Sequence, residues 1–169
     1  PDRILEHGER LQIDQDTTLA VFHTPGHASN HLCYLLEQEQ MLFTGDHVMQ
    51  TSTVVIGPPD GNMTAYLDSL RALLTVDLTW FAPGHGFLMA NPHKALEGIV
   101  AHRLRREAKV LEAVNELAGA DTDALLARVY DDVKPGLHPV ARRSLTAHLE
   151  KLAADGRVRH DNGRWTAAA

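Results

Sequence analysis

Two short apolar runs end in the same way. Leu19-Ala-Val-Phe-His23 runs into Thr24-Pro25-Gly26-His27, and Leu78-Thr-Trp-Phe81 runs into Ala82-Pro83-Gly84-His85. Proline fixes φ and glycine accepts the conformations a tight reversal needs, so Pro-Gly imposes a sharp turn directly after an extended segment. Each histidine is thereby delivered from a sheet edge on a rigid loop, which is the placement a metal ligand requires. A third run, Met41-Leu-Phe-Thr44, ends in Gly45-Asp46-His47 and sets a carboxylate where packing gives it no reason to sit. Taken singly, a histidine in a surface turn or a turn-capping aspartate explains each motif. Three strand ends that each deliver an imidazole or a carboxylate are not explained that way. Nitrogen and oxygen donors of this kind suit Zn²⁺ first, then Mn²⁺ or iron.

The elements around these motifs alternate. Leu19–His23, His31–Leu36, Met41–Thr44 and Leu78–Phe81 read as short strands, with a polar hairpin loop at Glu37–Gln40. A helix is expected to begin near Asn62 or Met63, because Tyr66, Leu67, Leu70, Leu73 and Leu74 follow the three-and-four spacing of one helical face. A longer helix is expected from Pro92 to about Ala118, its apolar stripe made of Leu96, Ile99, Val100, Leu104, Leu111, Val114 and Leu117. Arg103, Arg106 and Glu107 on that helix read as a solvated, salt-bridged face, with a lining of the active-site side that meets substrate as the alternative.

From residue 120 the rhythm changes. Helices are expected at Thr122–Asp132 and Pro139–Ala154, followed by strands that flank Asn162-Gly163, a strong two-residue hairpin signal. Helix, helix and hairpin give a winged-helix outline. The expected organisation is an α/β unit over 1–119 and a small α+β winged-helix unit over 120–169.

Charge follows the same division. Residues 1–133 carry 9 basic and 19 acidic side chains, whereas 134–169 carry 7 and 3. A basic tail on an acidic body raises the case for phosphate contact. Arg142, Arg143, Arg157, Arg159 and Arg164 are its candidate contacts, and a basic face used for dimerisation or for covering the active site is the alternative. No apolar run approaches the roughly 20 residues that span a bilayer, and the single cysteine, Cys33, excludes an internal disulfide and permits a reducing compartment. The expectation is a cytoplasmic protein without membrane contact. Cys33 lies in an apolar run with no paired base and reads as a buried structural thiol.

The order TPGHxxxH, then TGD, then PGHG resembles the metallo-β-lactamase superfamily. His102-Arg103 with Arg106-Glu107, and the later HLEKLAADGRV, are similar to its lactamase-β-2-like group, in which the hydrolase fold is followed by a winged helix. The resemblance covers residues 8 to 166. It implies the C-terminal half of an αββα fold and a metal-dependent hydrolase in which activated water attacks an ester, thioester, amide or phosphodiester. It also implies His27 as a ligand of the first of two zinc ions, Asp46 as the carboxylate bridging both and the catalytic centre of the pair, and His85 as a ligand of the second. His31 matches a supporting position behind the ligands, while His23 and His47 match none.

The family's HxHxDH motif occurs nowhere in the sequence. His27, Asp46 and His85 alone fall short of the three or four protein ligands that hold zinc firmly. The expectation is therefore a C-terminal fragment that, by itself, binds zinc weakly or not at all and is inactive. The parent protein is expected to act on a small molecule or on RNA, with a nucleic-acid contact through the basic tail and a homodimer as further expectations. A zincin reading of His27 and His31 fails, because position 28 is alanine and Pro25-Gly26 opposes a helix there.

Overall fold

A computed structural model of the chain describes residues 3–50 and 52–168. Its strands are β1 (Arg10–Gln12), β2 (Thr18–His23), β3 (Leu32–Leu36), β4 (Met41–Gly45), β5 (Trp80–Pro83) and β6 (Met89–Ala90), hydrogen-bonded in that order into one sheet. All neighbours run antiparallel except β4 and β5, which are parallel. A parallel pair needs a crossover, and α1 (Met63–Leu73) supplies it. Asn62 caps α1 by accepting the amide of Ala65 at 2.9 Å.

Paired residues share a face of a sheet. Cys33, Leu42 and Phe81 point toward α1 and the start of α2 (Pro92–Glu116), where they bury with Leu67, Leu70 and Leu96. On the opposite face Tyr34 pairs with Phe43 and Met41 with Trp80, and Phe43 and Trp80 are exposed.

A second apolar cluster forms beyond the sheet. Val110 and Val114 of α2 meet Leu125 and Val129 of α3 (Thr122–Val129), Leu145 and Leu149 of α4 (His138–Ala154), and Trp165. Trp165 sits on β8 (Arg164–Ala167), which pairs with β7 (Val158–Asp161). The hairpin turns through Asn162 and Gly163, both at positive φ, as the dipeptide predicts. Besides its leucine face, α4 buries Ala147 in the first cluster and covers Ser144 and His148. It is enclosed on two sides rather than standing free as a groove-reading helix would.

Several sequence expectations need correction. The strand expected at Leu78–Phe81 lies two residues later, and the helix expected to Asp132 stops at Val129. The short edge strands β1 and β6 have no alternating pattern long enough to reveal them. The apolar stripe of α2 packs as expected at Leu96, Ile99, Val100, Leu111 and Val114, but Leu104 and Leu117 are 40% and 38% exposed, while Arg103 and Glu107, expected in solvent, are 3% and 5% exposed. The reason is that α4 crosses this face and brings charge partners with it. Lys151 Nζ donates to Glu107 Oε1 at 3.1 Å, with His148 Nδ1 at 3.8 Å and Arg157 at 3.9 Å from the same carboxylate. Burial alone would raise the Glu107 carboxyl, but the bonds to His148 and Lys151 outweigh it and hold it below the ordinary range.

Next to this network, Arg106 grips Asp132 through two bonds of 2.9 and 3.0 Å and stacks over Tyr130 at 4.5 Å. The hydrogen bonds from Arg106 pull the Asp132 carboxyl down to about 2.

Replacing Glu107 strips Lys151 of a buried partner, although Asp155 remains bonded to the same ammonium. Glu107→Ala is expected to lower unfolding free energy by about 2–3 kcal/mol, read from urea denaturation; a loss under about 0.5 kcal/mol would show the network contributes nothing. Asp132 is 58% exposed, so Asp132→Asn should cost at most about 1 kcal/mol at neutral pH. A depressed carboxyl adds stability above its ordinary value of 3.8. The difference between wild type and Asp132→Asn should therefore shrink as pH falls from about 4 toward 2, and a difference that grew with acid would contradict the pairing.

Candidate functional site

His27 follows the turn after β2, and α1 holds that turn at several points. Ser69 Oγ donates to the carbonyl of Pro25 at 2.8 Å, and the amide of Asn62 donates to the carbonyl of Gly26 at 2.8 Å. Gly26 sits at φ +141°, and a Cβ there would lie 2.3 Å from Tyr66 Cα, so only glycine lets the turn press against the helix. The imidazole of His27 is fixed in turn. Its Nδ1 bonds the carbonyl of Val55 at 2.8 Å. A carbonyl can only accept, so Nδ1 carries the proton and the Nε2 lone pair of the neutral ring is free to bind a metal.

That Nε2 faces Asp46 Oδ2 at 3.8 Å, while His85 Nε2 stands 3.5 Å from Asp46 Oδ1. The parallel strands β4 and β5 end side by side, which is why Asp46 and His85 meet. The Gly84 amide donates to the carbonyl of Gly45 at 2.8 Å. A Cβ on Gly84 would approach that carbonyl to 3.1 Å and Asp46 Oδ1 to 3.2 Å, so a glycine keeps the two turns in contact.

The structure thus brings His27, Asp46 and His85 together. Among the described residues no three His, Cys, Asp or Glu side chains converge on a single point that would hold one ion. The arrangement is instead one carboxylate with an imidazole at each oxygen. Imidazole nitrogens and a carboxylate are donors that zinc-like ions take, so His27, Asp46 and His85 fit a metal group and would supply part of its ligands.

His31 lies behind the ligands. Its Nδ1 bonds Thr24 Oγ1 at 2.9 Å, and its Nε2 lies 3.0 Å from where a Cβ on Gly45 would stand. Burial, and then the neighbouring His27, lower its pKa. His47, which the sequence left as a turn residue, is fully buried. It packs edge-on against Tyr66 at 4.9 Å, and burial pushes its pKa down to about 3. Neither of its ring nitrogens has a hydrogen-bond partner among the described residues. His23 is exposed and bonds the carbonyl of Ser29 at 2.9 Å. Cys33 is buried, and its thiol is pushed up to about 12 by desolvation, which leaves it unreactive.

Asp46 and His85 open onto a cavity of about 640 Å³. Beyond the imidazole and carboxylate end, one wall carries His102, Arg103 and Arg106 from α2. The far wall is Val133, Leu137 and Val140, from the connection into α4 and its first turn. Burial, then Arg103 and Arg106, lower the His102 pKa, so this ring is neutral at physiological pH. The sequence offered a place beside the active site for Arg103 and Arg106 only as the alternative to a solvated face, and offered none for His102. Arg103 and Arg106 are three residues apart, about one turn of helix, and so share a face, but nothing in the sequence tells which way that face points.

The model of the metallo-beta-lactamase superfamily matches residues 1–85, and that of the beta-lactamase associated winged helix domain matches residues 122–165. A lactamase-like protein of Aspergillus sp. (strain MF297-2) is 30% identical over 165 residues, covering 89% of this chain and 50% of its own. An atrochrysone carboxyl ACP thioesterase of Cryptosporiopsis sp. (strain 8999) is 27% identical over 169 residues, covering 91% of this chain and 51% of its own. The chain spans about half the length of the curated relatives it matches. Among solved structures, a metallo-beta-lactamase family protein from Thermus thermophilus superposes with a TM-score of 0.84 at 24% identity, over 96% of this chain and 53% of that one. The sheet with its helices has that fold, and the two helices and hairpin that follow are a winged-helix unit. By its sequence match and by the strand ends that carry its three motifs, the chain belongs to the metallo-beta-lactamase superfamily.

Proposed function

We propose that the protein containing this chain is a metal-dependent hydrolase of small esters or thioesters, divided into an α/β unit over 1–119 and a winged-helix unit over 120–169. The observation that carries this reading is the single carboxylate of Asp46 with one imidazole nitrogen facing each of its oxygens, at 3.8 and 3.5 Å. His27 and Asp46 would hold one ion and His85 and Asp46 the other, with the remaining ligands supplied from outside these 169 residues. Imidazole and carboxylate donors suit zinc. Bound there, the ions would lower the pKa of a water and polarise the scissile carbonyl.

The chain's own residues prepare for that chemistry. Val55 fixes the tautomer of His27, and His31 backs the Gly45–Asp46 turn. The apolar side chains of Val133, Leu137 and Val140, which line the cavity, suit an acyl group. A relative bears a thioesterase name, which supports the acyl reading.

An RNA substrate, or a nucleic-acid partner for the basic tail, has less physical support. Of the five arginines that could contact phosphates, Arg142 is paired with Asp123, Arg157 lies beside Glu107, and Arg164 donates to the carbonyl of Gly119 at 2.8 Å, which leaves Arg143 and Arg159 exposed. One buried cysteine and, among the described residues, no helix long and apolar enough to cross a membrane fit the proposed cytoplasmic setting.

In the full-length protein, Asp46→Asn should lower kcat/KM for a simple acyl thioester by more than about 100-fold, since even residues behind metal ligands cost about 10–100-fold when lost. Chelation should abolish the activity and zinc should restore it. Thioester hydrolysis indifferent to both treatments would refute the reading, and metal-dependent cleavage of RNA without thioester turnover would replace it with the nuclease alternative.

A further inference from the structure

Arg103 is a buried cation without a buried counter-charge. Its side chain is 3% exposed, yet among the described residues no carboxylate pairs with it. Glu107, one turn further along α2, is engaged by Lys151 at 3.1 Å, His148 at 3.8 Å and Arg157 at 3.9 Å. What Arg103 does have is a bond from Nη2 to the carbonyl of Val54 and a position over the Tyr66 ring, 5.4 Å from its centre. Its Nε is buried and, among the described residues, has no hydrogen-bond partner. The neighbouring Arg106 differs, because Asp132 neutralises it through two bonds.

Removing a charge from water without pairing it is costly, and arginine cannot escape by shedding its proton. A carbonyl and a ring face offset part of that cost, not all of it. Arg103 also lines the cavity that His27, Asp46 and His85 open onto. Two further polar groups share its wall. His102 has an Nδ1 with no partner among the described residues, and Ser144 is nearly buried.

The geometry points to an anion subsite: Arg103, which lines the same cavity as His102 and Ser144, receives a carboxylate on the acyl part of the substrate. A guanidinium binds a carboxylate in its own plane through two N–H donors, and such charge-assisted bonds are about twice as strong as neutral ones. The neutral ring of His102 can donate one further bond. The apolar wall of Val133, Leu137 and Val140 selects an apolar acid over a phosphate chain. The preferred substrate is therefore a small apolar acyl ester or thioester that carries a second, free carboxylate. This inference rests on the reading of the cavity as a hydrolytic site, but its test does not need turnover or metal.

The test uses the full-length protein freed of metal, with benzoate and its neutral isostere benzamide, followed by NMR with assigned side-chain signals and by calorimetry. Benzoate should bind saturably, shift the His102 ring and the Arg103 Nε–H signals, and bind at least about tenfold more tightly than benzamide, the effect of about 1.4 kcal/mol. Arg103→Met should remove the preference for benzoate. Arg103→Lys, which keeps the charge but not the planar fork, should retain only part of it. Equal binding of benzoate and benzamide to the unaltered protein would overturn the subsite even if both variants failed to fold. So would benzoate shifts confined to Arg157 and Arg159, or inorganic phosphate binding in the cavity as tightly as benzoate. Failure of metal-dependent hydrolysis in the full-length protein would leave the benzoate result standing, so the two readings fail separately.

Discussion

Gly84 donates its backbone N–H to the carbonyl of Gly45 at 2.8 Å, and everything chemical in this chain depends on the contact. It joins the ends of two parallel strands, β4 and β5, whose next residues are Asp46 and His85. A parallel pair forces the chain through a crossover helix, and that helix, α1, is the surface against which the Pro25-Gly26 turn is pressed. One topological requirement thus sets all three side chains. The parallel pair brings Asp46 to His85, and the crossover it demands fixes His27 opposite them.

Most of this was legible in the sequence where local chemistry dictates local structure. The Pro-Gly turns, the start of α1 near Asn62 and the Asn162-Gly163 hairpin each rest on φ preferences or local periodicity, and each formed where expected. The motif order also revealed the family. The parts that were not legible depend on contacts between distant elements. Arg103 and Glu107 look like solvent residues until α4 arrives across them with Lys151 and His148. His47 looks like a turn residue until α1 covers it with Tyr66. Strands β1 and β6, of three and two residues, exist only as partners of their neighbours.

Helix α2 links the site to the rest of the molecule. Leu96 packs under the sheet, Val110 and Val114 enter the winged-helix core, and between them lie the charged residues that face the cavity and α4. Because α4 is enclosed by both apolar clusters, its inner surface serves as a wall of the cavity. Here the winged-helix unit packs on the sheet unit and lines the cavity, and several of its arginines are held by neighbouring groups. The positive charge at the cavity floor is the counterpart of that arrangement: Arg106 is neutralised by Asp132, and Arg103 is not.

The central claim is that Asp46 is shared between two metal ions, one on His27 and one on His85. Anomalous X-ray scattering at the zinc edge from crystals of the full-length protein tests it most directly. The account predicts two peaks, each within about 2.0–2.2 Å of an Asp46 oxygen, one also bonded to His27 Nε2 and the other to His85 Nε2. A single ion that leaves either histidine unbound, or metal held elsewhere in the molecule, would contradict it.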